Sequence, residues 1–323
     1  ECRVFLESIS GTGQGLSNMQ ADALRGVVVP LLTPFNDDLS IATELYTAHA
    51  KWLLEQGAAG FAPFGTTGEA LSVGIDERIA AIESLIDAGI DPAQMIPGTG
   101  LSNVADTARL SRACLDLGCA AVMTLPPFYY KAVTEDALFR YFEQLVGAIG
   151  DDARIFLYHI PPIAVIGIPP ALAAGLHEAF PQNIIGIKDS SGDFDNTRQL
   201  FDIDGLVVYP GSELPLIEAL DLGGPGCISA TANLNVKNIA DVVKLYDSGD
   251  IEAARALNET NKRFRLTVDK HGPIPAQKRL LAISSGDKRW ANVRPPLTAL
   301  PQAGGEVLVE LLRNEIGEHI PEY

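Results

Sequence analysis

The chain has 323 residues, 47% of them hydrophobic and 20% charged, which is the composition of a globular protein able to bury a large core. Its 41 acidic and 24 basic residues leave a formal charge of −17, so nucleic acid and anionic membranes would be repelled over most of the surface. An anionic substrate then has to be captured by a local positive or hydrogen-bonding site.

Residues 1–18 contain Gly and Ser without periodicity and read as a tag or disordered extension, with Met19 a candidate start. No run approaches the roughly 18 apolar residues of a spanning helix, and no basic stretch leads into an apolar one, so neither a membrane span nor a secretory signal is expected. Cys2, Cys114, Cys119 and Cys227 show neither a CxxC pair nor dense spacing, and read as reduced thiols of a cytoplasmic protein.

Eight short apolar or β-branched runs follow, each ending in Gly, Pro, Thr, Ser or a candidate site residue: Val27–Thr33, Gly60–Gly65, Met95–Gly100, Ala121–Pro126, Arg154–His159, Ile184–Asp189, Leu206–Gly211 and Gly226–Thr231. Between them apolar residues recur at helical spacing over Ile41–Gln56, Ile75–Ala88, Asn103–Leu117, Glu135–Ile149, Pro170–Phe180 and Leu214–Leu222. Strands alternating with helices imply parallel pairing through right-handed crossovers. The pattern predicts an α/β chain with a (β/α)₈ TIM barrel over residues 19–233, an open doubly wound sheet being the alternative. After Thr231 the pattern is helical only, over Val236–Ser248, Ile251–Val268, Gln277–Ser284 and Gly304–Ile316, with Pro273-Ile274-Pro275 read as a break and Pro295-Pro296 as another. Residues 234–323 are expected to form a C-terminal helical region packed on the barrel, with oligomer contact a second role.

A TIM barrel places its chemistry at the C-terminal ends of the strands. Lys188 ends the run Ile184-Ile185-Gly186-Ile187, and alternation puts it on the side of Gly186. If that side is the interior, an ammonium there is expensive to bury, and the neutral amine is the form that attacks a ketone. Asp189 then points the other way. Tyr158 lies one strand earlier, at the end of Phe156-Leu157-Tyr158, where its phenol could shuttle a proton. Gly65-Thr66-Thr67-Gly68-Glu69 brackets two hydroxyls with glycines, so that N–H and O–H groups converge on a carboxylate. Gly211-Ser212-Glu213 and Ile228-Ser229 complete the set of strand-end candidates. Taken singly, Lys188 could be a solvated strand-end lysine, Tyr158 a core tyrosine and the Gly-Thr-Thr-Gly stretch an ordinary turn.

Five ordered motifs carry a resemblance: Leu32-Thr33-Pro34-Phe35, Gly65-Thr66-Thr67-Gly68-Glu69, Pro127-Phe128-Tyr129-Tyr130, Tyr158-His159-Ile160-Pro161 and Gly186-Ile187-Lys188-Asp189. Together they resemble the dihydrodipicolinate synthase/N-acetylneuraminate lyase family of class I aldolases. By position, Lys188 resembles the family's Schiff-base lysine, Tyr158 its proton-transferring tyrosine and Thr66 the hydroxyl relay partner. Thr67, with nearby N–H groups including that of Gly65, looks like the clamp for the 2-oxo acid carboxylate. Gly211, Ile228 and Ser229 join the expected substrate-binding set. Tyr129 is similar to the tyrosine that completes the relay, sometimes across a subunit contact, and Tyr130 competes for that position.

The resemblance implies a lyase that joins or cleaves pyruvate, or another 2-oxo acid, and a small aldehyde, without metal or organic cofactor, in a homo-oligomer built as a dimer of dimers. The five histidines form no HExxH or comparable ligand spacing, and Gly98-Thr99-Gly100 lacks the third glycine of a dinucleotide loop. Two departures turn the reading from dihydrodipicolinate synthase toward 2-keto-3-deoxy-sugar-acid or neuraminate-lyase-like aldolases. That synthase branch resembles Tyr-Asn-Val-Pro-x-Arg-Thr-Gly, whereas this chain has Tyr158-His159-Ile160-Pro161-Pro162-Ile163-Ala164-Val165 and no arginine for a second carboxylate. Pro127-Phe128-Tyr129-Tyr130-Lys131 is also closer to the aldolase branches. Dihydrodipicolinate synthesis, a 2-keto-3-deoxy acid dehydratase and a non-enzymatic 2-oxo acid binding barrel stand as alternatives.

Overall fold

Short β-branched segments alternate with amphipathic helices, and the backbone pairs the segments in parallel. The computed structural model describes residues 24–317, so the expected extension at residues 1–18, and Cys2 with it, lie outside them. The strands are Gly26–Val29 (β1), Gly60–Phe61 (β2), Val122–Thr124 (β3), Ile155–His159 (β4), Ile184–Asp189 (β5), Val207–Pro210 (β6) and Gly226–Ile228 (β7). They form two parallel runs, β2-β1-β7 and β3-β4-β5-β6. Residues 95–98 join the runs, Met95 bridging Phe61 and Gly98 bridging Met123, and β6 lies beside β7. The result is the eight-position ring of a TIM barrel.

The expected third strand, Met95–Gly100, therefore fills its place as two isolated bridges and not as a ladder. Pro97 accounts for the difference, because it has no N–H to donate, although its carbonyl still accepts from Met123 N at 2.8 Å. Gly98 comes so close to the turn after β2 that a Cβ there would lie 2.2 Å from the Phe64 carbonyl oxygen.

Around the ring run Thr43–Glu55 (α1), Ile75–Asp87 (α2), Val104–Asp116 (α3), Glu135–Ile149 (α4), the short Pro161–Ala164 (α5), Pro170–Ala179 (α6), Phe194–Phe201 (α7) and Leu216–Asp221 (α8). Their ends follow side-chain chemistry. Asn103 accepts from Asp106 N at 2.8 Å to start α3, and Thr134 accepts from Ala137 N at 3.2 Å to start α4. Gly57 and Gly118, at φ +103° and +92°, end α1 and α3 in the left-handed region.

Two apolar layers result. Val28, Ala62, Ile96, Met123, Phe156, Tyr158, Tyr209 and Ile228 fill the barrel interior, while Val27, Val29, Leu157, Ile187 and Val208 face the helices. Gly186 belongs to the interior, where a Cβ would lie 2.2 Å from the Phe156 ring, so the aromatic fills the layer in its stead. Asn233, fully buried, closes the seam between β1 and β7: its Oδ1 accepts from Leu32 N at 2.9 Å and its Nδ2 donates to the carbonyls of Pro30 and Ala230, each at 2.9 Å.

The later helices are Ala232–Asp247 (α9), Ile251–Asp269 (α10), Pro273–Ser285 (α11) and Gln302–Ile316 (α12). α9 begins before the expected Val236 because Asn235 interrupts it with non-helical angles, and the regular period resumes only beyond that kink. Pro273-Ile274-Pro275 is the first turn of α11, not a break, since the N–H groups that proline lacks are unbonded in a first turn in any case. Phe264, Leu281, Trp290, Leu308 and Leu312 form the core of this region, and Leu32 joins it to the barrel.

Candidate active site

Strand pairing brings the strand-end candidates to one level. Lys188 lies in register with Tyr158 of β4 and with Tyr209 of β6, so the lysine is flanked by a tyrosine on each side. All three are buried, Lys188 at 4% exposure. Lys188 Nζ sits over the Tyr158 ring, 4.5 Å from its centroid. Tyr209 turns its hydroxyl to Leu24 O at 3.0 Å, and burial pushes that phenol well above its ordinary range, which leaves Tyr158 as the phenol available to a substrate. Asp189 faces away from the interior, as alternation predicts. Its carboxylate accepts from Ser191 N at 2.8 Å, Asn196 Nδ2 at 2.9 Å and Thr197 Oγ1 at 2.7 Å, and so is satisfied without the lysine.

The Gly65–Glu69 turn comes to the same place. Thr66 Oγ1 lies 3.4 Å from Tyr158 Oη, within reach for proton exchange, and Gly65, Thr66 and Tyr158 share the wall of a cavity of about 250 Å³. Thr67 is buried at the same turn. The turn is held from below by Glu69, a residue with φ +56°, whose carboxylate bonds Lys278 Nζ of α11 and accepts from Arg294 N at 2.9 Å. Lys278 Nζ and the Arg294 guanidinium in turn both lie over the Phe35 ring, 4.4 and 4.6 Å from its centroid.

Other expected residues stand elsewhere. Tyr129 and Tyr130 are each 75% exposed, meet edge to face at 5.5 Å, and do not reach the Lys188 level within this chain. Gly211 is packed under Ser190, whose Oγ would lie 1.9 Å from an added Cβ, and it faces a second cavity beside Ser190 and Ser212. Ile228 is buried in the interior layer. The Ser229 hydroxyl is engaged by Glu213, with Thr231 and Arg265, both at 3.2 Å, completing a buried polar cluster.

Sequence reasoning gave no role to four contributors. Lys131 donates to the carbonyls of Phe128 and, at 3.1 Å, Ala164, tying the loops after β3 and β4 together across the cavity mouth. Lys131 directly follows the Tyr129-Tyr130 pair, so its place in that loop was visible, but its carbonyl partners were not. Ile274 and Leu297 reach the cavity wall from the C-terminal region, and nothing in their local sequence marks them. His159, next to Tyr158, accepts from Ile168 N at 2.7 Å through Nδ1, so it buttresses the loop that carries Ile163; burial lowers its pKa, consistent with a neutral acceptor ring.

Residues 23–314 match the profile of the Dihydrodipicolinate synthetase family. The chain belongs to this family. Among its relatives, a protein named "Uncharacterized DapA-like lyase" from Chloroflexus aurantiacus is 35% identical, over 88% of this chain and 93% of that one. The crystal structure of dihydrodipicolinate synthase from Agrobacterium tumefaciens superposes with a TM-score of 0.82 at 31% identity, over 90% of this chain and 99% of that one. The family's prophage protein YagE from E. coli K12, solved in complex with pyruvate, gives a TM-score of 0.82 at 25% identity over 90% and 98% of the two chains. Members of the dihydrodipicolinate synthetase family are lyases and this chain is one of them, a TIM-barrel enzyme of the class I aldolase kind. Among the described residues no helix is long and apolar enough to cross a membrane, and no three His, Cys, Asp or Glu side chains gather as a metal site.

Proposed function

We propose that the protein is a Schiff-base lyase that makes or breaks a carbon–carbon bond between pyruvate and an aldehyde, with Lys188 as the imine-forming residue. The observation that carries this reading is the buried Lys188 amine held 4.5 Å from the Tyr158 ring, whose hydroxyl lies 3.4 Å from Thr66 Oγ1. In the proposed cycle the neutral amine adds to the keto carbon, water leaves, and the protonated imine draws electrons from C3. Loss of a C3 proton gives an enamine, which attacks the aldehyde; cleavage is the reverse. Tyr158 moves the proton and Thr66 passes it on. Thr67 and the N–H groups of the Gly65–Glu69 turn receive the carboxylate.

Tyr129 enters this reading from a neighbouring subunit in a dimer of dimers, which its 75% exposure supports. Action in the cytoplasm fits the free thiols of Cys114, Cys119 and Cys227. Residues 24–233 serve as the catalytic barrel and the remainder as the helical support packed on it.

The test is incubation with pyruvate, reduction with borohydride and mass mapping of the modified peptide. A reduced adduct on Lys188 is expected; folded protein without one would sink the assignment. Condensation of pyruvate with aspartate semialdehyde is a second reading, favoured by the 31% identity to the Agrobacterium synthase across nine-tenths of the chain and opposed by Ile163 where that branch has arginine.

A further inference from the structure

Past Tyr158 and Thr66 the cavity changes character. Its far wall is built from Leu125, Phe128, Ile160, Ile163, Ile274 and Leu297, drawn from the loops after β3 and β4 and from the C-terminal region. Three other polar side chains reach the wall, and each is engaged within the protein. Lys131 Nζ donates to two carbonyl oxygens, the Glu69 carboxylate holds Lys278 and Arg294 N, and Ser72 Oγ donates to Pro295 O at 3.2 Å.

A carboxylate or a row of hydroxyls set against this wall would lose water on that side and meet only side chains already engaged, whereas an apolar body would gain contact there. The cavity of about 250 Å³ is roomy enough, since an apolar cavity of about 150 Å³ holds a benzene ring.

We propose that the aldehyde used or released at this site carries an apolar body, aromatic or branched aliphatic, and not a carboxylate or a polyhydroxylated chain. This rests on the imine reading of Lys188. In the synthetic direction C3 of the pyruvate enamine bonds to the aldehyde carbon, the aldehyde oxygen takes a proton, and water then hydrolyses the imine. The amine is regenerated and a 4-hydroxy-2-oxo acid with an apolar substituent leaves; no oxidant or reductant enters.

Two measurements on the full chain separate this inference from the reading beneath it. Borohydride trapping with pyruvate alone reports the imine without reference to the acceptor. Aldol rates at saturating pyruvate are then compared for benzaldehyde, 3-methylbutanal, glyceraldehyde and succinic semialdehyde. The two apolar aldehydes are expected to exceed the other two by at least about 30-fold in kcat/KM. Ile163→Arg, at a wall position that is 62% exposed and so tolerant of a charge, is expected to narrow that ratio at least about tenfold by favouring succinic semialdehyde. Trapping at Lys188 combined with a preference for glyceraldehyde or succinic semialdehyde overturns the inference and leaves the imine reading standing. So does use of succinic semialdehyde that disappears in Lys131→Met, because Lys131 would then be a carboxylate partner. Absence of any adduct overturns both.

Discussion

Replacing Lys278 by Met tests whether the C-terminal helices hold the Gly65–Glu69 turn, the proposed carboxylate clamp, through a buried charge pair. Lys278 Nζ and the Glu69 carboxylate are in contact and both side chains are wholly inaccessible to solvent. Without the ammonium, the carboxylate keeps only Arg294 N, at 2.9 Å, as a close donor. An uncompensated buried charge of this kind costs about 3–5 kcal/mol. The same burial works against the cation: it pushes the Lys278 pKa down to about 8 in spite of the neighbouring carboxylate. Desolvation therefore cancels most of what the pair returns, and removing both charges together should be far less harmful than removing one. In urea denaturation at pH 7 and one protein concentration, followed by tryptophan fluorescence, Lys278→Met and Glu69→Gln should each lose about 3–5 kcal/mol. The double variant should recover at least about 2 kcal/mol relative to their sum. Because the turn carries Thr66 and Thr67, KM for pyruvate should rise more in the single variants than in the double. Strictly additive losses, or single variants within about 1 kcal/mol of the parent, would refute the argument.

Tyr158→Phe keeps the ring against Lys188 but deletes the hydroxyl 3.4 Å from Thr66 Oγ1, so kcat should fall about 10²–10⁴-fold while pyruvate is still trapped; unchanged turnover would remove Tyr158 from the proton path. Gly186→Ala puts a Cβ 2.2 Å from the Phe156 ring and 2.7 Å from Val207 O, and is expected to cost about 1–3 kcal/mol or more in thermal or urea unfolding; a neutral result would show that the interior layer can yield. His49, fully buried with Nε2 3.2 Å from Asn233 Oδ1, has its pKa lowered by desolvation from 6.5 to about 4. The unfolded chain takes up that proton from near pH 6.5 downward and the folded chain only near 4, so stability present above pH 6.5 is lost as the pH falls toward 4, by about 3 kcal/mol. In His49→Gln that part of the pH–stability curve should flatten, and an unaltered acid limb would assign the loss to other groups.

The positions of Lys188 and Asp189 were legible because they depend on alternation along single strands. Counting by twos from Gly186 put Lys188 inside and Asp189 outside, and both stand there. What alternation cannot express is contact between distant segments. Glu69 and Lys278 are 209 positions apart, and neither sequence neighbourhood announces the other. The cavity wall was hidden for the same reason, Ile274 and Leu297 arriving from a region read only as packing. Proline misled in both directions. Pro97 thinned an expected strand to two bridges, while Pro273 opened a helix where a break was expected, because a missing N–H is harmful in a ladder and harmless in a first turn. Ser229 was legible as a strand-end residue, but its hydroxyl turns to Glu213, a partner that no spacing rule selects.

Lys188 is fixed by backbone ladders on both sides, to Tyr158 and to Tyr209, whereas the far wall of the cavity hangs on loops and on residues from outside the ring. The proposed imine-forming amine and the cavity wall are thus built from separable parts. Exchange of the loop after β4, or of the segment bearing Ile274, can reshape what is accepted without displacing the amine by the ångström that would cost turnover. On this scaffold a change in what the cavity accepts is a local alteration, open to stepwise variation while the strand that carries Lys188 is retained.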